Sequence, residues 1–151
     1  DMMAERKVYY VPTMSGIYNV AEREATNGNN ELADLIRNVV GFPQKESVTM
    51  AYKHGLLIGT GSDTLGSVFQ ELKMFTGCGM SNTEALKCAT SNAAKILHLE
   101  NQIGFIKEGY TADLVLLNGN PLENLENLRR IEMVIAGGSI VNNEWMCNLS
   151  L

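Results

Sequence analysis

Histidine and cysteine are scarce in this chain of 151 residues, which carries two of the first and three of the second. Cys78, Cys88 and Cys147 are odd in number and show no Cys-x-x-Cys spacing, so neither a disulfide framework nor a cysteine-based zinc site is supported, and a reducing compartment, the cytoplasm, is expected. Basic clusters are missing too. Only Arg129 and Arg130 are adjacent, and the formal net charge is -5, so no nucleic-acid partner is expected. No apolar run approaches the roughly 18 residues that span a bilayer, and no signal-peptide pattern opens the chain, so no membrane partner is expected. Repeats and low-complexity segments are also lacking. What remains is 45% hydrophobic and 19% charged, an ordinary composition that can bury one core. Asp1-Met2-Met3-Ala4-Glu5-Arg6-Lys7 reads as the last turns of a helix already under way, and the chain is expected to begin in mid-domain.

The rest is organised around Leu56-Leu57-Ile58-Gly59-Thr60-Gly61-Ser62-Asp63. The continuous apolar run suits a strand buried on both faces of a parallel sheet, and the glycines mark its end. Ligands in sheets of strand-helix units sit at the carboxyl ends of strands, which makes Asp63 a candidate metal ligand or base. An isolated Gly-Ser-Asp also reads as a turn or a helix N-cap. Upstream, Val8-Tyr9-Tyr10-Val11 predicts a short buried strand stopped by Pro12, with Thr13 at its carboxyl end. Residues 14–30 predict a loop or ragged helix. Leu32, Leu35, Ile36, Val39 and Val40 recur at helical spacing to Gly41, which ends that helix, and Pro43 opens the next, which Gly55 terminates.

Downstream, Val68, Phe69, Leu72 and Phe75 form an apolar helical stripe, read as core. Ser81 and Glu84 match a capping box, and Thr90-Ser91-Asn92 interrupts the helix it opens. After about residue 99 the pattern turns strand-like at residues 103–106, 114–117 and 133–136, with Gly137-Gly138 as a hairpin turn into Ser139-Ile140-Val141. Asp113 reads as a turn residue leading into a strand. Gly59-Thr60-Gly61 lacks the Lys and Ser/Thr of a phosphate loop. Asn148-Leu149-Ser150 fits a glycosylation acceptor, with nothing else pointing to secretion.

The order of these motifs carries a resemblance. Val8 to Thr13, Gly59 to Asp63, Ser81-Asn82-Thr83-Glu84-Ala85-Leu86, Ala89-Thr90-Ser91-Asn92-Ala93-Ala94, Ile103-Gly104, Gly109, Ala112-Asp113-Leu114 and Asn120-Pro121-Leu122 together resemble the C-terminal part of a metal-dependent amidohydrolase, of the imidazolonepropionase-like and prolidase-like subgroup. The resemblance implies an α/β fold, the C-terminal quarter of a (β/α)8 TIM-type barrel followed by strands of a small composite β-sandwich. Residues 1–100 would be the barrel part, with its seventh and eighth strands, 101–145 the sandwich strands and 146–151 a tail. A whole barrel of this kind takes about 250 residues.

The same resemblance implies chemistry. Asp63 takes the family's place after the eighth strand, as a general base that also touches the metal, with Ser62 where Thr is common. Thr13 and Thr64, at strand ends facing the same mouth, are candidate substrate contacts, although a strand-terminating or helix-capping hydroxyl is the better reading of each from the residues alone. The family's metal site also draws on a His-x-His pair from the first strand, a Lys or Glu from the fourth and histidines from the fifth and sixth. None of these maps here, and His54 and His98 resemble none of them. The implied reaction is hydrolysis of an amide in a small substrate such as a dipeptide, an N-acyl amino acid or a cyclic amide. A divalent metal, zinc, is expected in the full-length protein and none on this chain alone, which is expected to be inactive. Association as a homo-oligomer or with the absent barrel portion is expected. The competing readings are a non-catalytic truncated domain and an interaction module.

Overall fold

The computed structural model describes residues 2–63 and 65–141, leaving out the side chain of Ala4. Thr64, Trp145, Cys147, the Asn148-Leu149-Ser150 triplet and the tail at 146–151 lie outside the described residues. Among the described residues, seven α-helices precede a small antiparallel sheet: α1 (Met2–Glu5), α2 (Met14–Thr26), α3 (Asn30–Ile36), α4 (Phe42–Lys53), α5 (Val68–Thr76), α6 (Asn82–Ala89) and α7 (Ser91–Ile96), then β1 (Leu114–Leu117), β2 (Ile131–Ala136) and β3 (Ser139–Ile140).

The segment expected to organise the chain lies at its centre. Ile58 is buried and makes a parallel bridge to Tyr10, closed by Tyr10 N–H donating to the Leu57 carbonyl at 3.1 Å and Gly59 N–H donating to the Tyr10 carbonyl at 3.0 Å. On the other edge, Thr60 N–H donates to the Cys88 carbonyl at 3.1 Å, and the Asn92 amide donates to the Ile58 carbonyl at 3.1 Å. The α6–α7 corner therefore occupies backbone groups that a further strand would use. Around Ile58 pack Met14, Val48, Leu72, Phe75, Met80, Ala85 and Cys88, and Leu125 joins the same core from a 3-10 turn at Leu125–Arg129. Burial pushes the Cys78 thiol up and the Cys88 thiol up to about 11, so both are packing residues and poor nucleophiles.

Five expectations change. The strand expected over Leu56-Leu57-Ile58, buried on both faces, is a single bridge at Ile58, with Leu56 and Leu57 only half-buried. The strand at residues 8–11 is reduced to the single bridge at Tyr10, and Val8, Tyr9 and Val11 are exposed. Residues 14–30 are no ragged helix: α2 is regular and turns back through Gly28, at φ 85°, into α3. Gly41 does not end a helix. It is helical, at φ -60° and ψ -53°, and closes a π-helical segment at Arg37–Gly41 that runs directly into α4. Pro43, in the first turn of α4, has no N–H for the Val39 carbonyl, and a widened turn accommodates this without breaking the helix. Residues 103–106 form no strand, because Gly104 at φ 89° turns the chain against Ala94. The sheet otherwise follows the sequence. β1 pairs antiparallel with β2, with an irregularity between Leu116 and Leu117, and β2 pairs with β3 across Gly137-Gly138, while Gly137 N–H donates to Asp113 Oδ1 at 2.7 Å.

Candidate active site

Because Tyr10 and Ile58 are bridged in parallel, the chain leaves both on the same side of the molecule. Thr13 follows the first and Asp63 the second. Both adopt left-handed backbone, Thr13 at φ 51° and Asp63 at φ 54°. A β-branched residue in that conformation is strained by about 1–3 kcal/mol, and such strain gathers at functional sites. Asp63 is exposed in a turn and is no helix cap. The cap of α5 is Ser67, whose Oγ accepts from the Gln70 N–H at 3.1 Å.

The Asp63 turn lies across the first turn of α2. A Cβ added to Gly16 would stand 3.0 Å from the Ser62 carbonyl oxygen and 3.2 Å from Asp63 Cβ, and one added to Gly66 would collide with the Ser62 carbonyl and Ser15 Oγ. Two glycines are needed here for the backbones to approach. Further along, the Asn19 amide donates to the Leu65 carbonyl at 2.5 Å and to Gln70 Oε1 at 2.8 Å.

Thr13 is the N-cap of α2 by position, yet its side chain makes no capping hydrogen bond. The cap comes from Glu71 instead. This fully buried side chain accepts the Met14 N–H through Oε1 and the Ser15 N–H through Oε2, both at 2.8 Å. Burial raises the Tyr10 phenol, and the nearby Glu71 adds to that shift. Glu71 escaped the reading of the sequence because the stripe on α5 was traced through its apolar members. Yet Val68 is exposed, and the buried face is Glu71, Leu72 and Phe75. A carboxylate one position before Leu72 and one turn before Phe75 was the signal.

Neither histidine joins this end. His54 precedes the strand-like segment at its amino end, and the His98 ring lies 6.2 Å from that of Tyr9, tilted by 57°. Among the described residues no group of three or more His, Cys, Asp or Glu is arranged to hold a metal ion. Asp63 offers one donor where a zinc site takes three or four protein ligands, so these residues do not by themselves fit the metal that the family resemblance implies.

Thr13 and Asp63, both in left-handed backbone, follow the two bridged segments, at the strand ends where ligands sit in proteins built of strand-helix units. The chain matches the amidohydrolase family over residues 1–141 and belongs to it. Imidazolonepropionase of Kosmotoga olearia is 43% identical over 72 residues, 46% of this chain and 18% of that protein. Ochratoxinase of Aspergillus niger is 30% identical over 132 residues, 83% of this chain and 27% of that protein. The crystal structure of a Xaa-Pro dipeptidase with bound methionine in its active site superposes with a TM-score of 0.82 at 31% identity, over 94% of this chain and 36% of that one. The chain thus spans between about a fifth and a third of these proteins' lengths.

Proposed function

We propose that these residues are the last part of a barrel-type amidohydrolase that cleaves the C–N bond of a small amide, such as a dipeptide, an N-acyl amino acid or a cyclic amide, with Asp63 as general base. A water oxygen attacks the amide carbonyl carbon while an Asp63 carboxylate oxygen takes the water's proton. When the C–N bond breaks, Asp63 returns that proton to the leaving nitrogen, so the products are a carboxylic acid and an amine. Members of the family generally use divalent metals. Our reading makes that metal zinc, with Asp63 as one ligand and the others supplied from outside the described residues. Thr13 and Thr64 are assigned to substrate contact. The proposed division places the barrel part at 1–100, the sandwich strands at 101–145 and a tail at 146–151. The setting is assigned to the cytoplasm. No helix among the described residues is long and apolar enough to cross a membrane.

One observation carries this reading: Asp63 is an exposed carboxylate in a left-handed turn beyond a buried strand-like segment, where Ser67 already serves as the cap of the following helix. In the protein that carries the complete site, Asp63→Asn keeps the shape and removes the base. Turnover is expected to fall about 10²- to 10⁴-fold, with thermal stability near that of the parent. A folded variant with nearly unchanged turnover would overturn the assignment.

A further inference from the structure

Glu71 is the one fully buried carboxylate among the described residues, and the reaction above makes no use of it. Its two oxygens take the first two N–H groups of α2. A hydroxyl at position 13 would satisfy an ordinary helix start at less desolvation cost. What a local hydroxyl cannot do is join two elements. Glu71 lies one turn after Ser67 on α5, and its own N–H donates to the Ser67 carbonyl at 3.0 Å. The carboxylate therefore fixes the start of α2 against the start of α5, and the Asp63 turn is the chain that runs between them to α5. Gly16, the next residue of α2 after the pair that Glu71 holds, is the one packed on the Ser62 carbonyl and Asp63 Cβ. Ser15 completes the link, its Oγ donating to the Ser67 carbonyl at 3.4 Å.

We infer that Glu71 is a positioning residue for the hydrolytic reaction: by locking the first turn of α2 it sets where Asp63 stands relative to Thr13. The inference rests on the reading of Asp63 as the base. Each carboxylate oxygen faces one backbone donor, so the amide of a glutamine would put an N–H₂ against one of the two N–H groups. That group loses its acceptor, the first turn of α2 shifts, and Gly16 carries the shift to Asp63. Aspartate keeps both acceptors but withdraws them by one methylene.

The test is steady-state kinetics on the complete enzyme that carries these residues, with Glu71→Gln, Glu71→Asp, Asp63→Asn and the double variant Asp63→Asn/Glu71→Gln. A displacement on the order of 1 Å at a reacting group costs about 100-fold. Glu71→Gln is accordingly expected to lower kcat by about 10- to 100-fold, with a smaller change in KM because Thr13 leads into the same turn, and Glu71→Asp to recover part of that loss. In the Asp63→Asn background, Glu71→Gln is expected to cost less than about twofold, because the group it positions is already gone. An equal loss in both backgrounds, a loss residing in KM, or an unchanged kcat overturns the inference. If Glu71→Gln does not fold, the same comparison runs with Glu71→Asp. The reading of Asp63 fails separately and visibly, when Asp63→Asn alone keeps the parent rate, and the inference then falls with it.

Discussion

At the residue scale, the sequence singles out Asp63 and passes over Glu71, for a physical reason. A carboxylate that follows an apolar run and two glycines stands out, because position in a strand-helix unit predicts where its side chain goes. A carboxylate that caps a helix whose first residues lie 57 and 56 positions away has no local pattern, since its partners meet it only after folding. Glu84 is the opposite case, legible because its partner Ser81 lies three residues away. It accepts from the Ser81 N–H at 2.8 Å and the Ser81 hydroxyl at 2.6 Å, and Tyr52 Oη donates to it at 2.8 Å. The Ser81 hydroxyl, the Ser81 backbone and the Tyr52 hydroxyl, in that order, lower its carboxyl from 4.5 to about 2. A carboxyl held lower in the folded than in the unfolded state adds stability that is fully present above the unfolded value, near 4.5, and is lost as pH falls toward about 2. Thermal unfolding followed between those pH values should show a smaller acid-dependent drop in Tm for Glu84→Gln than for the parent. An identical slope for both would remove Glu84 from the acid response.

At the scale of elements, periodicity and caps were reliable where they were local. The capping box at Ser81–Glu84 and the turn at Gly137-Gly138 form as read, and the break narrows to Thr90, with Ser91 and Asn92 already inside α7. Gly41 shows where such reading fails. Glycine and proline near one another look like punctuation, but a widened turn lets the helix run through both. The two accounts predict opposite signs. A helix-ending glycine in left-handed conformation loses about 1 kcal/mol on replacement by alanine. Gly41 has helical dihedrals, and the nearest atom to an added Cβ is the Ile36 carbonyl oxygen at 3.9 Å, so Gly41→Ala should stabilise by about 0.4–1 kcal/mol. Gly138→Ala, at φ 82° in the hairpin turn, should destabilise by about 1 kcal/mol instead. Urea unfolding of both variants measures the contrast, and a destabilised Gly41→Ala would restore the terminator reading.

At the scale of the molecule, the question is which surfaces want a partner. One edge of the segment leading to Asp63 is taken up, since the Cys88 carbonyl and the Asn92 side chain bond to it. Beside it Val8, Tyr9 and Val11 stay exposed, and further apolar exposure lies on the helices. Along α3, the π-helical segment and the start of α4, Leu32, Leu35, Val39, Val40 and Phe42 are all exposed, Val39 and Phe42 by 63% and 60%. Beside them an apolar groove of about 270 Å³ opens between Met14, Ile17, Tyr18, Ala21, Phe42 and Met74. Such half-exposed side chains have about half of the 1.5–3 kcal/mol of full burial still to gain, and contiguous apolar patches beyond a few hundred Å² are uncommon on soluble monomers. A chain with this surface is expected to associate through it, and Phe42 is well placed to test that, because it is exposed and a polar replacement leaves no cavity. Light scattering on the 151-residue chain should give an average mass that rises with concentration, and Phe42→Glu should lower that mass while keeping the helical content. A parent chain that stays monodisperse and monomeric at high concentration would show that this apolar face is tolerated without a partner, whereas association unaffected by Phe42→Glu would move the contact to the open edges of β1 and β3.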